Sequence, residues 1–187
     1  MVKRIVSLKR MFVVLAVIGL LTAASAVVYA TGNGTEQVNW RIAGPIFSSI
    51  QNNNSSAPGD YALLNLSAKG SPGQAEIMAV GTGGLVPVDE QCPGADLQVK
   101  FGNGGFVAVF PDQSMLFFKI DKSEGAQNAN CVFFGAPNTG AFEYLITGGT
   151  GRYEGASGSV LVTTTSWGIN SVLSAEIGEI TGTIELP

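Results

Sequence analysis

The chain has 187 residues, of which 45% are hydrophobic, with 25 glycines, ten basic and fourteen acidic residues and a formal net charge of −4. It contains no histidine, which excludes a Ser-His-Asp triad, a Cys-His dyad, an HExxH zinc site and an all-His metal site. Acid–base work is left to carboxylates, tyrosines and lysines, which need burial or a charged neighbour to bring their pKa values toward neutrality.

Residues 1–30 read as a signal peptide. Lys3, Arg4, Lys9 and Arg10 form a basic region, Met11 to Leu21 an apolar one, and small-residue cleavage signals end at Ala26 and at Ala30. The alternative is an uncleaved anchor, because Met11 to Ala30 is almost uncharged and about twenty residues span a bilayer. In both cases the remainder is secreted or otherwise extracytoplasmic, since the basic flank stays inside; only the uncleaved form would meet a membrane. The segment holds four of the ten basic residues and no acidic one, so six basic residues face fourteen acidic ones in the mature chain, a net charge of −8. Arg41, Lys69, Lys100, Lys119, Lys122 and Arg152 are scattered singly among carboxylates, a distribution that speaks against nucleic acid as a partner.

Residues 31–59 form an amino-terminal extension with room for a first strand, ending in the Asn- and Ser-rich loop Gln51 to Gly59. Residues 60–187 form the body, and the remaining length suits a single domain without an internal linker. From Val38 onward short apolar runs are separated by Gly, Pro, Asn and Asp, with no helical period. In DYALLNLSAK, Ala62, Leu64, Leu66 and Ala68 alternate with Leu63, Asn65, Ser67 and Lys69, which predicts a strand with the first set inward. Leu97, Val99 and Phe101 alternate likewise with Gln98 and Lys100, which are expected to face outward. FVAVF is apolar on both faces and should be covered on both, and SMLFFKID is another strand with aromatics on both faces. Near the end, Leu173, Ala175 and Ile177 share one parity and Ile180, Gly182 and Ile184 the other, which predicts a β-bulge near Gly178.

Cys92 and Cys131 both follow the signal segment, in a compartment that permits oxidation, and predict one disulfide closing a loop near forty residues. About eight strands with no covering helices leave a sandwich or a closed antiparallel barrel, and closure removes exposed edges.

The densest glycine cluster, ITGGTGRYEGASG from Ile146 to Gly158, lies between the strand-forming runs FEYLI and SVLVTTT. A nucleotide-binding strand-turn-helix is the competing interpretation. It fails because SGSVLVTTT forms a strand, glycine stands at 155 where the pattern wants it at 154, and too little chain follows for repeated βα units. ITGGTGRYEGASGSV resembles the glycine turns of plant allene oxide cyclases and dirigent proteins, and GGLVPV, Gly83 to Val88, resembles a further segment of the cyclases. The resemblance implies an eight-stranded antiparallel barrel whose mouth holds an apolar small molecule, with no cofactor. It assigns no catalytic or metal residue. Gly148, Gly149, Thr150, Gly151, Arg152, Tyr153, Glu154, Gly155 and Gly158 make up this family turn motif, and its residues read as structural by themselves: Arg152 and Glu154 are expected to pair across or along the strand and Tyr153 to pack at the barrel mouth.

Glu36 and Glu76 are candidates for an acidic lumen residue by type alone. Phe106, Phe110, Phe117, Phe118, Phe133, Phe134 and Phe142 are expected in the core or lining the lumen. Asn33, Asn53, Asn54 and Asn65 occupy N-x-S/T sequons, which matter only in a glycosylating host. Three functions fit this pattern: a binder of an apolar small molecule, a cofactor-free cyclase or isomerase, and a surface-interaction protein with a filled barrel.

Overall fold

The structure, a computed structural model, describes residues 34–49, 60–169 and 173–187. The signal segment, the loop at 51–59 and the sequons at Asn33, Asn53 and Asn54 lie outside the described residues. Nine strands follow in order: β1 Gly34–Ser49, β2 Asp60–Ser71, β3 Ala75–Val86, β4 Leu97–Val109, β5 Met115–Ile120, β6 Asn128–Val132, β7 Asn138–Thr150, β8 Ser157–Gly168 and β9 Leu173–Leu186. A single 3-10 turn, Gly151–Tyr153, separates β7 from β8.

All pairings are antiparallel, and the sheet closes on itself through β1–β9 and β3–β4. The result is an eight-stranded barrel, because β5 and β6 share one position in the wall. β5 pairs with Gly105–Val109 of β4, and β6 continues along Leu97–Val99 of the same strand. Between them the chain loops out, and Glu143 of β7 spans the break: its carbonyl accepts from Asp121 N–H and its own N–H donates to the Gln127 carbonyl, both at 2.8 Å. β1, which lies within the amino-terminal extension, is a full stave of this wall, paired with β2 on one side and β9 on the other.

Side-chain alternation fills the interior. On β2, Leu66 and Ala68 are buried, while Leu63, Asn65, Ser67 and Lys69 are exposed, as the alternation of their sequence requires. The core gathers Trp40, Ile77, Leu116, Ile120, Ile180 and Ile184 around the barrel axis. At roughly 25 cal/mol per Å² of apolar surface removed from water, each large side chain of this kind contributes on the order of 2 kcal/mol.

Two sequence expectations are corrected. No bulge occurs at Gly178, since β9 keeps unbroken register with β1 from Leu173 to Leu186 and with β8 from Ser174 to Glu185. Ile177 faces outward and Glu176 inward, so the apolar residues on either side of Gly178 do not share the interior. The bulges fall elsewhere, at Thr82/Gly83 in the β3–β4 pair and at Phe117/Phe118 in the β5–β7 pair. Gln98, expected on the solvent face, is fully buried, because residues of the β3–β4 connection fold over the outside of β4.

That connection carries the disulfide. Cys92 and Cys131 are joined, with Cα atoms 5.3 Å apart, and pack with Ala129, Ala95 and Phe133 in a small cluster separate from the main core. The bond ties the β3–β4 connection to β6.

Candidate functional site

The barrel has two unlike ends. At one, the β2–β3, β4–β5 and β7–β8 turns converge and close the interior. Trp40 Nε1 donates to the Gly73 carbonyl at 2.7 Å, and the Phe110 ring lies 5.8 Å from Trp40 and 4.8 Å from Tyr153. Trp40 and Tyr153 are both buried, so this end is solid.

The glycine motif forms this closure. Gly148, Gly149 and Thr150 end β7, Gly151, Arg152 and Tyr153 make the 3-10 turn, Glu154 and Gly155 follow it, and Gly158 lies in β8. A side chain at Gly149 would press within 2.5 Å of the Met115 carbonyl and 2.6 Å of the Tyr153 carbonyl. Gly158, at φ +128°, sits against the Thr183 carbonyl in a conformation that L residues rarely adopt. The guanidinium of Arg152 lies over the rings of Phe110 and Tyr153, at 4.6 and 4.8 Å. Its ion-pair partner is Asp112, at 3.7 Å, rather than Glu154. Burial, and secondarily the charge of Glu36, pushes the Tyr153 phenol up to about 12.

The opposite half of the lumen is different. Leu64, Ala79, Phe101 and Tyr144 are only partly buried there, packed against the core. Phe106 stacks on Phe118 with ring centroids 3.9 Å apart and meets Tyr144 edge-on at 4.9 Å; Phe101 meets Phe142 edge-on at 5.4 Å. Into this aromatic lining β9 sends a carboxylate. Glu176 is 5% exposed, placed beside Gly44 of β1 and Ser166 of β8 by the register. Burial raises its pKa to about 7, opposed by a hydrogen bond with the Thr164 side chain. Both protonation states are therefore populated near neutral pH. The Tyr144 phenol is also pushed up, first by burial and then by the charge of Glu176, and stays protonated at any physiological pH.

Glu176 was not singled out by the sequence, because it interrupts the apolar alternation that identifies lumen positions. The acid candidates chosen by type lie elsewhere: Glu76 is on the outer surface, accepting from Ser67 Oγ, and Glu36 is half-buried toward the closed end. Of the seven phenylalanines, Phe106, Phe110, Phe118 and Phe142 are buried in the main core. Phe117 is half-buried, Phe133 covers the disulfide, and Phe134 is exposed on the β6–β7 turn. Asn65 is exposed on β2.

The outer wall carries features of its own. Arg41, Thr163, Thr165, Ile177 and Glu179 border an open depression of about 470 Å³ over β1, β9 and β8. An apolar stripe runs across three staves, with Phe47 opposite Leu63 and Leu63 opposite Val80, all exposed.

No protein-family model matches the chain, and no curated protein matches it. Among solved structures it is similar to two pterocarpan synthase dirigent proteins, GePTS1 and PsPTS1, each at 11% identity and a TM-score of 0.44. The alignment covers 87% of this chain and 96% of GePTS1, and 82% of this chain and 96% of PsPTS1.

Proposed function

We propose that the protein is an extracytoplasmic barrel that binds an apolar small molecule in the half of its lumen away from the glycine motif, with Glu176 as the polar anchor. The observation that carries this reading is the one carboxylate buried among the described residues, set in an aromatic lining whose outermost members remain partly exposed. Binding sites of this kind combine apolar walls with a few placed polar groups. The disulfide and the signal-like segment at 1–30 support the compartment. Titration with the uncharged fluorophore Nile red tests it: saturable one-to-one binding is expected, weakened at least tenfold by Ala79→Phe, which places a ring in the same half of the lumen. Absence of saturable binding, or binding indifferent to Ala79→Phe, would overturn it.

A second reading is a cofactor-free cyclase or isomerase, favoured by an acid whose pKa burial raises to about 7 beside an aromatic lining and by the resemblance of the Ile146–Val160 turn to allene oxide cyclases. Preorganisation of the substrate would supply most of the acceleration, with Glu176 handling a proton. Turnover of epoxy-lipid or polyene substrates that Glu176→Gln abolishes would establish it, and no turnover across such a panel would end it. A surface-interaction role draws on the exposed Phe47–Leu63–Val80 stripe instead; a monomer at all concentrations in light scattering would count against it.

A further inference from the structure

Among the described residues, no cation answers Glu176 inside the barrel. The described basic residues all lie outside the lumen: Arg41, Lys69, Lys119, Lys122 and Arg152 are exposed. Lys100, the sixth, is half-buried and is held at 2.7 Å by Asp89 of the β3–β4 connection. The Tyr144 phenol is a second titratable group whose ionisation Glu176 influences. A carboxylate removed from water without a counter-charge is costly, and it either takes up a proton or awaits a cation. The surroundings fit a cation. The edge of the Phe142 ring and the Thr164 hydroxyl both crowd the side-chain space missing at Gly140, so an aromatic ring lies beside the group that hydrogen-bonds the carboxylate. Tyr144 adds a second ring within electrostatic reach. Rings beside a carboxylate are the chemistry that recognises alkylated ammonium groups, and the net charge of −8 over residues 31–187 draws cations toward that part of the molecule.

We propose that the ligand of this half of the lumen is an organic cation: an ammonium group on an apolar body, the ammonium meeting Glu176 and the rings of Tyr144 and Phe142, the body filling the aromatic lining. The proposal rests on the ligand-binding reading above and narrows it to one class of ligand. No covalent step is involved; the bound cation favours the ionised form of Glu176, so binding releases a proton at any pH where the empty site still holds one.

The test compares phenyltrimethylammonium with tert-butylbenzene, which has the same shape and no charge, by calorimetric titration of the purified protein. At pH 8 the ammonium is expected to bind at least tenfold tighter than the hydrocarbon, and at least tenfold tighter than it does at pH 5. Glu176→Gln should remove most of the ammonium's advantage at pH 8 and abolish its dependence on pH. Glu179→Gln removes the same charge from the outer wall and should leave the preference intact. Hydrocarbon binding as tight as ammonium binding, in a manner indifferent to Glu176→Gln, would overturn the cation while leaving an apolar-ligand site standing. Failure of both compounds to bind would overturn the two together. Should Glu176→Gln not fold, an ammonium affinity equal at pH 5 and pH 8 in the unsubstituted protein overturns the proposal by itself.

Discussion

Asp89 and Gln98 hold each other through two hydrogen bonds: the Asp89 backbone N–H donates to Gln98 Oε1 at 2.8 Å, and Gln98 Nε2 donates to the Asp89 carboxylate at 3.0 Å. This reciprocal grip satisfies an amide that is wholly buried against the outer wall. Gln98→Ala should therefore remove both bonds and leave a void under the β3–β4 connection, at a cost of about 2–3 kcal/mol. Urea unfolding of the variant against the parent measures it; a midpoint unchanged would mean that the connection does not depend on this contact.

The same carboxylate predicts an acid limb. The hydrogen bond from Lys100, then those from Gln98 and the Gln91 N–H, lower the Asp89 pKa from 3.8 to about 2. A lowered folded-state value gives stability that is present above the unfolded pKa and lost as pH falls through the folded one. Stability should decline between roughly pH 4 and pH 2, and Asp89→Asn should flatten that decline in denaturation curves collected across the range.

Glu176 acts in the opposite sense. Its pKa rises from 4.5 to about 7 on folding, so the folded state binds the proton more tightly. Its contribution is fully present below the unfolded value and disappears as pH rises through the folded one. In the absence of ligand, the melting temperature should fall between pH 5 and pH 8. Glu176→Gln, unable to ionise, should be more stable than the parent at pH 8 by an amount on the order of 3 kcal/mol. Calorimetric scans of both proteins at the two pH values check the sign as well as the size.

The disulfide should matter to stability and little to shape. Cys92 and Cys131 stand 39 residues apart, and in the chain-entropy account closing such a loop contributes about 4 kcal/mol. The Cys92→Ser/Cys131→Ser double variant is expected to keep its far-ultraviolet circular dichroism while its guanidinium midpoint drops. An equal midpoint for the oxidised and reduced parent would refute the estimate.

Glycines in this chain differ sharply in what they tolerate. Gly158→Ala forces a Cβ against the Thr183 carbonyl at a positive φ, whereas Gly84→Ala projects into open space. The first should lose about 2 kcal/mol or more, and the second should stay within about 0.5 kcal/mol of the parent. Thermal melts of the pair decide it.

The strand pattern was legible wherever the interior is uniformly apolar. Ala62 to Lys69 shows its inward face directly, and the buried phenylalanines of FVAVF and SMLFFKID show that both strands belong to the core. The closing end was legible through glycine, because tight backbone approaches leave a compositional trace in Gly148 to Gly158. Alternation failed at Glu176, where a polar side chain points inward, and misled about burial at Gln98, which faces outward as the pattern requires but is covered by the β3–β4 connection. Ile177 compounds the error on β9, since an exposed isoleucine imitates an inward one. A candidate site is the place where an apolar rule has been broken, so the periodicity that identifies the container conceals its polar contents. The division of one wall position between β5 and β6 was equally hidden, because each piece alone reads as an ordinary short strand.

That division also marks where the chain can change length. Asp121 leaves the wall and Gln127 rejoins it against the same residue, Glu143, with a hydrogen bond on either side of the gap. The barrel is thus sealed there by cross-strand bonding rather than by continuity of the polypeptide. Sequence inserted between those two points would extend into solvent without displacing a neighbouring stave, making this the natural port through which new segments could be grafted onto the scaffold.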